Sequence, residues 1–102
     1  MANKREELHN ILKQLLESDN VYYKAPPTIQ MKYTAIRYSK RRFDTKYAND
    51  KRYSNMTCYE IIVISKSPDH EVIEKLLELP YCSYDRQYIS DNLYHDVLTL
   101  YY

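Results

Sequence analysis

Apolar residues near the start of the chain recur with the spacing of one helix face. They occupy positions i, i+3, i+4, i+7 and i+8, and polar residues lie between them. This pattern predicts an amphipathic helix from about Asn3 to Ser18 that packs against a sheet. The apolar positions are Leu8, Ile11, Leu12, Leu15 and Leu16.

Extended segments follow the helix. Val21–Tyr23 begins a short run, and alternation along 31–38 predicts a strand with Ile36 and Tyr38 on one face. A longer strand is expected from Tyr53 to Ser65. Its second half is apolar at every position, which is typical of a central strand covered on both faces. Two more strands are predicted over 81–89 and 93–102.

A second helix is predicted between the third and fourth strands. Ser67 has the side chain of an N-cap, Pro68 suits the first helical position, and Asp69 places an acid in the first turn. Pro80 is expected to end this helix. Its inward face would carry Val72, Ile73, Leu76 and Leu77.

The element order is therefore α-β-β-β-α-β-β. With 102 residues and 12.4 kDa, the chain fits one domain over 1–102. We expect an α+β two-layer sandwich in which two helices pack on a mainly antiparallel sheet. The chain has neither a membrane-length apolar stretch nor the apolar core of a signal peptide at its start, so we expect an unexported protein without membrane contact.

The sequence contains no glycine. Dinucleotide-binding loops, the Walker A loop, the nucleophile elbow and the EF-hand loop all require glycine, so these motifs are excluded. The turns must use Asx and serine residues, which cap their own backbone and, in the Asx case, tolerate positive φ. The predicted turn pairs are Asp19-Asn20, Asn49-Asp50, Ser54-Asn55 and Asp91-Asn92.

Candidate catalytic residues are few. Cys58 and Cys82 are expected to be reduced, and no Cys or His spacing matches a zinc site. Cys58 with His95 as its base is the only nucleophilic pair to weigh, and Cys58 lies mid-strand without a feature that would activate it. We therefore expect no enzymatic activity, no cofactor and no metal.

Tyrosine is unusually common: the chain has thirteen Tyr, one Phe and no Trp. Tyrosine combines a large rigid ring with a polar tip, which suits interfaces, although an aromatic-rich sheet would explain any single one of them. The number favours an interaction protein.

Charge is divided along the chain. Residues 37–52 hold seven basic and two acidic side chains, whereas residues 69–96 hold two basic and seven acidic ones. The basic segment fits a solvated loop, a subunit or partner contact, or a nucleic-acid contact. The acidic half makes head-to-tail contact between copies electrostatically favourable.

Several short motifs, in order, resemble the small neck and tail-terminator (tail-completion) proteins of long-tailed phages and prophages of Gram-positive bacteria. Thr34 departs from the pattern, which has proline after the tyrosine, and this puts a turn or strand-edge feature in doubt. The motifs are Ala25-Pro26-Pro27, Met31-Lys32-Tyr33, Ile36-Arg37-Tyr38, Tyr47-Ala48-Asn49-Asp50 with Tyr53, Tyr59 with Val63-Ile64, Ser67-Pro68-Asp69, Tyr84-Asp85-Arg86-Gln87-Tyr88, Asp91 to Val97, and Leu100-Tyr101-Tyr102.

The resemblance implies an α+β virion protein, assembled in the host cytoplasm, that forms a homo-oligomeric ring, usually of six copies. The ring would cap the tail tube and join it to the head-closure or connector protein, with a passing contact with DNA in the channel. We expect the subunit and partner contacts to use Arg37, Lys40, Arg41, Arg42, Lys46, Tyr47, Arg52, Tyr53, Asp85, Arg86, Tyr88, Tyr101 and Tyr102.

Two alternatives remain at this point. The first is a head-closure or minor capsid role in the same neck. The second, of another class, is a small nucleic-acid-binding regulator that uses Lys40-Arg41-Arg42 in the basic 37–52 loop, with Tyr38 and Tyr47 stacking on bases.

Overall fold

The computed structural model describes residues 4–24, 32–41 and 57–102, and it confirms the predicted α+β class and element order. Within these residues, two helices pack on a five-stranded mixed sheet. The elements are α1 (Lys4–Leu16), β1 (Val21–Tyr23), β2 (Ala35–Lys40), β3 (Cys58–Ser65), α2 (Glu71–Leu77), β4 (Cys82–Ser90) and β5 (Leu93–Tyr101).

The spatial order of the strands is β1-β2-β3-β5-β4. β1 pairs with β2 in parallel, and the other three pairings are antiparallel. β3 lies at the centre, where the apolar run predicted it. β1 and β4 are the edge strands.

The core lies between the helices and one face of the sheet. Leu8 and Leu12 of α1 and Val72 and Leu76 of α2 are almost completely buried. They pack against alternate side chains of the sheet, as period-two alternation requires. These sheet residues are Val21, Ile36, Tyr38, Tyr59, Ile61, Val63, Leu98 and Leu100. The opposite side of the sheet is called the outer face below.

The second helix begins later than predicted. Ser67 Oγ accepts a hydrogen bond from the Asp69 backbone N–H, so this serine stabilises a turn and is not the N-cap. His70 is the N-cap, with an extended backbone and Nδ1 accepting from the Val72 N–H at 3.1 Å. The helix ends at Leu77 with Glu78 as its C-cap, before Pro80 is reached.

β2 differs from its predicted bounds at both ends. It begins at Ala35 because pairing partners begin there: Ala35 pairs with Ile64 of β3, and Ile36 pairs with Val21 of β1. It continues to Lys40, which pairs with Tyr59. Residues 53–56, predicted to start the next strand, lie outside the described residues.

The hairpin turn between β4 and β5 confirms one turn prediction. Asp91 and Asn92 have φ of 53° and 64°, the two positive values that a two-residue type I′ turn requires. At the end of α1, however, Glu17 takes the positive φ of 59°, and neither residue of Asp19-Asn20 does. The pairs Asn49-Asp50 and Ser54-Asn55 lie outside the described residues.

Candidate functional site

The outer face brings together interface residues that are far apart in sequence. The strand register forms a row across the sheet in which Arg37 of β2 is followed by Ile62, Val97 and Arg86 of β4. Tyr88 lies in the neighbouring row and stacks on His95, with ring centroids 4.8 Å apart and planes 13° from parallel. Cationic and aromatic side chains predicted separately therefore lie on one face of the sheet, although Val97 and Ile64 between them are buried.

Arg41 follows the last residue of β2, and its side chain reaches the outer face. Its backbone N–H donates to the Cys58 carbonyl, and its Nη1 donates to Thr99 Oγ1 at 3.1 Å. Thr99 alternates with the core residues Leu98 and Leu100, so it lies on the outer face. Tyr101 pairs with Cys58 and is two residues from Thr99 along β5, so it lies on the same outer face.

The β4 edge is the most exposed strand among the described residues. Every residue from Ser83 to Ser90 is exposed, including Tyr84, Tyr88 and Ile89, the last at 65% of its maximal area. A bulge interrupts the strand where the register shifts between Tyr84 and Arg86. Asp85, the extra residue, accepts a hydrogen bond from Arg86 Nη1 at 2.8 Å.

Two predicted interface residues lie away from the outer face. Lys40 is exposed and pairs with Tyr59, whose side chain is in the core. Tyr102 packs against the core and donates from its hydroxyl to Glu7 Oε2 at 3.3 Å. Beside it, α1 and the last strand enclose a mostly apolar cavity of about 360 Å³.

Five predicted interface residues lie outside the described residues: Arg42, Lys46, Tyr47, Arg52 and Tyr53.

One proposed stacking residue is ruled out. Tyr38 is only 1% exposed, and its hydroxyl shares a 2.7 Å hydrogen bond with His9 Nδ1. Burial of this kind leaves no ring face for a base. The nucleic-acid alternative therefore loses Tyr38 as a stacking partner, and the other proposed ring, Tyr47, lies outside the described residues.

Sequence reasoning missed an acidic pocket between α2 and β4. It has a volume of about 440 Å³ and is lined by Asp69, His70, Glu74, Tyr84, Gln87 and Asp96, among others. Asp96 is 1% exposed although it is an acidic residue. A signal existed in the sequence, because period-two alternation places Asp96 on the same face as Leu98 and Leu100.

Two β4 side chains hold one oxygen of that carboxylate. The Tyr84 hydroxyl donates to Asp96 Oδ1 at 2.7 Å, and Gln87 Nε2 donates to the same oxygen at 3.0 Å. Gln87 Nε2 also donates to the Pro68 carbonyl, so it links β4 to the turn before α2. Desolvation and the contact with Asp96 raise the pKa of Tyr84 to about 12.

This shift predicts an alkaline loss of stability. Since the folded-state pKa of Tyr84 lies above the ordinary value of 10, its contribution is complete below pH 10 and lost as pH rises toward 12. We expect Tyr84→Phe to lower the free energy of unfolding by about 1 kcal/mol at pH 8. The difference from wild type should shrink between pH 10 and 12, measured by urea unfolding. Tyr88→Phe, outside the pocket, is the control, and a difference independent of pH would contradict the prediction.

The Cys58–His95 pair does not form. His95 pairs with Ile64, six residues along β3 from Cys58, or about 20 Å at the rise of a strand. Burial raises the pKa of the Cys58 thiol, which disfavours the nucleophilic thiolate. Both cysteines are free thiols.

Among residues 4–24, 32–41 and 57–102, no group of three or more His, Cys, Asp or Glu side chains is arranged to hold a metal ion. Neither helix in this part of the chain is long and apolar enough to cross a membrane.

The described residues thus contain two features suited to recognition, the exposed β4 edge and the acidic pocket beside it. No family model, curated protein or solved structure matches this chain.

Proposed function

We propose that this protein is a structural subunit of a phage neck. Copies would assemble as a closed ring that caps the tail tube and joins it to the head connector. The proposal combines the motif resemblance of residues 22–102 with the exposed β4 edge, which is the structural observation that carries it.

The β4 edge is a surface for association. An edge strand presents unpaired backbone N–H and C=O groups, and a long exposed edge with apolar side chains can pair with another chain. β4 has nine residues, whereas the other edge strand, β1, has three. Tyr84, Tyr88 and Ile89 add exposed apolar area along it.

The two edges and the divided charge favour unlike surfaces meeting in each contact. Contacts between different patches close into a ring when the rotation permits and otherwise continue as a filament. Most of the acidic residues of 69–96 lie in or next to α2 and β4. Arg37 and Lys40 lie in β2, on the opposite side of the central strand β3, and the other basic residues of 37–52 follow them in the sequence. A ring contact of about 1,000 Å² or more would use both the acidic region and the basic region.

A variant of the edge tests the proposal. Ile89→Lys places a charge on an exposed position, so the free energy of unfolding should change by less than about 0.5 kcal/mol. Because lysine on an edge opposes pairing, the variant should lose self-association in light scattering and fail to join heads to tails in particles. Ile89→Val, which keeps an apolar β-branched side chain, is the matched control. Normal joining by Ile89→Lys particles would contradict an edge-mediated ring.

A nucleic-acid-binding role is the second candidate, favoured by Arg37, Arg41 and Arg86 lying with Tyr88 on one sheet face. The dependence of binding affinity on salt concentration distinguishes the nucleic-acid role from the ring. A nucleic-acid complex should weaken by orders of magnitude between about 50 and 200 mM salt, whereas a tyrosine-rich subunit contact should largely persist.

A further inference from the structure

The acidic pocket contains a carboxylate oxygen that has no partner among residues 4–24, 32–41 and 57–102. Asp96 is 1% exposed and lines the pocket, with Tyr84 and Gln87 both bound to its Oδ1. Its Oδ2 is buried and has no hydrogen-bond partner in the described part of the protein. Leaving a buried carboxylate oxygen unpaired is costly, so this position calls for a donor that the described residues do not supply.

The surroundings of Oδ2 favour a cation. Asp69 and Glu74 line the same pocket and add negative charge, while Ile73, Leu77 and the Tyr84 ring provide apolar and aromatic walls. A metal ion does not fit, since the pocket residues do not form a group of ligands. A cationic group carried on an apolar stem matches both the carboxylates and the walls, and that description fits an arginine or lysine side chain.

The chain itself carries such side chains at high density. The segment 40–52 has six basic and two acidic residues. The pocket adjoins the exposed β4 edge, because Tyr84 and Gln87 line it from β4. A second copy that contacts this edge would bring its charged surface beside the pocket.

We propose that the pocket between α2 and β4 binds a guanidinium or ammonium group from the basic segment of a second copy, with Asp96 as its anion. This inference rests on the proposed ring, for which it supplies a specific contact. Arginine is the favoured side chain, because guanidinium is less strongly hydrated than ammonium and stacks on aromatic rings such as Tyr84.

Binding of a labelled peptide to the full-length protein tests the contact even if free subunits stay apart. A fluorescein-labelled peptide of residues 40–52 should bind in fluorescence anisotropy. Asp96→Asn should weaken binding by about 30-fold or more, the effect of removing one member of a buried charge pair. Asparagine keeps the shape and the acceptor for Tyr84. Asp91→Asn, in the hairpin turn, is the matched control and should bind like wild type.

A second variant, a control peptide and a check of folding complete the test. Glu74→Gln, at an exposed position of α2, should weaken binding roughly two- to fivefold and leave the fold intact. A peptide with its six basic residues replaced by glutamine should not bind. Circular dichroism must show that Asp96→Asn remains folded, and if it does not, Glu74→Gln alone decides.

Two outcomes would overturn the proposal. One is equal binding of the peptide to wild type, Asp96→Asn and Glu74→Gln. The other is that free argininamide binds at the pocket, as monitored by the NMR chemical shifts of Tyr84 and Gln87, while the peptide does not bind. Neither outcome affects the ring itself, which is judged separately by particle joining and by the Ile89→Lys variant.

Discussion

From the proposed neck role, we expect particles assembled without this protein to be full heads unattached to tails, with tails of irregular length. A tail terminator stops the tube by closing a ring on its end, and the ring then presents the surface to which the head docks. Without it, tube growth has no stop and the head has no partner. Electron microscopy of lysates should show almost complete loss of joined particles.

Complementation provides the control for this deletion. Wild-type protein and Ile89→Val should restore joined virions of uniform tail length, and Ile89→Lys should not. Joined particles of normal tail length that lack the protein would refute the neck assignment. Heads that have lost their DNA, beside tails of normal length, would instead indicate the head-closure role.

Replacing Tyr38 with alanine should remove a large part of the stability of the fold. Tyr38 is 1% exposed, and its ring lies 5.0 Å from that of Tyr23 and 6.0 Å from that of Tyr59. Deleting a buried aromatic side chain costs about 3–5 kcal/mol, and a domain of this size has only about 5–15 kcal/mol in total. The urea midpoint, followed by circular dichroism, should fall accordingly.

Two variants separate packing from hydrogen bonding at this position. Tyr38→Phe keeps the ring and loses the hydrogen bond to His9, so it should cost only about 1 kcal/mol. Tyr33→Ala, at a ring that is 47% exposed, should cost well below the core substitution. A Tyr38→Ala protein as stable as Tyr33→Ala would show that the Tyr23–Tyr38–Tyr59 cluster does not support the core.

The presence and order of the elements could be predicted from local pattern. The spacing of Leu8 and Leu12 defines a helix face, because residues three and four apart share a side of the helix. The Asp91-Asn92 turn was predictable because the tolerance of Asx residues for positive φ is a property of the residues themselves. The α+β class followed from that order.

The ends of two elements differed from prediction, and for β2 they depended on contacts that the local sequence does not contain. β2 begins at Ala35 because its neighbours β1 and β3 pair with it from there. His70 became the N-cap because the Ser67 hydroxyl was engaged in the preceding turn. The partners of β2 come from other parts of the fold, whereas the contacts of Ser67 and His70 are each with a residue two positions away.

The chain by itself thus determined the helices, the strands, the hairpin turn and the charge of each segment, since all of these reside in neighbouring residues. Only the tertiary structure decided what those segments present together. The strand order β1-β2-β3-β5-β4 places Arg37 and Arg86 on one face, although 49 positions separate them in sequence. The packing of α2 beside β4 encloses Asp96 with Tyr84 and Gln87, and its Oδ2 has no partner among the described residues. Register and packing are long-range properties, so periodicity predicts which side of a strand a residue occupies but not which distant residues it meets.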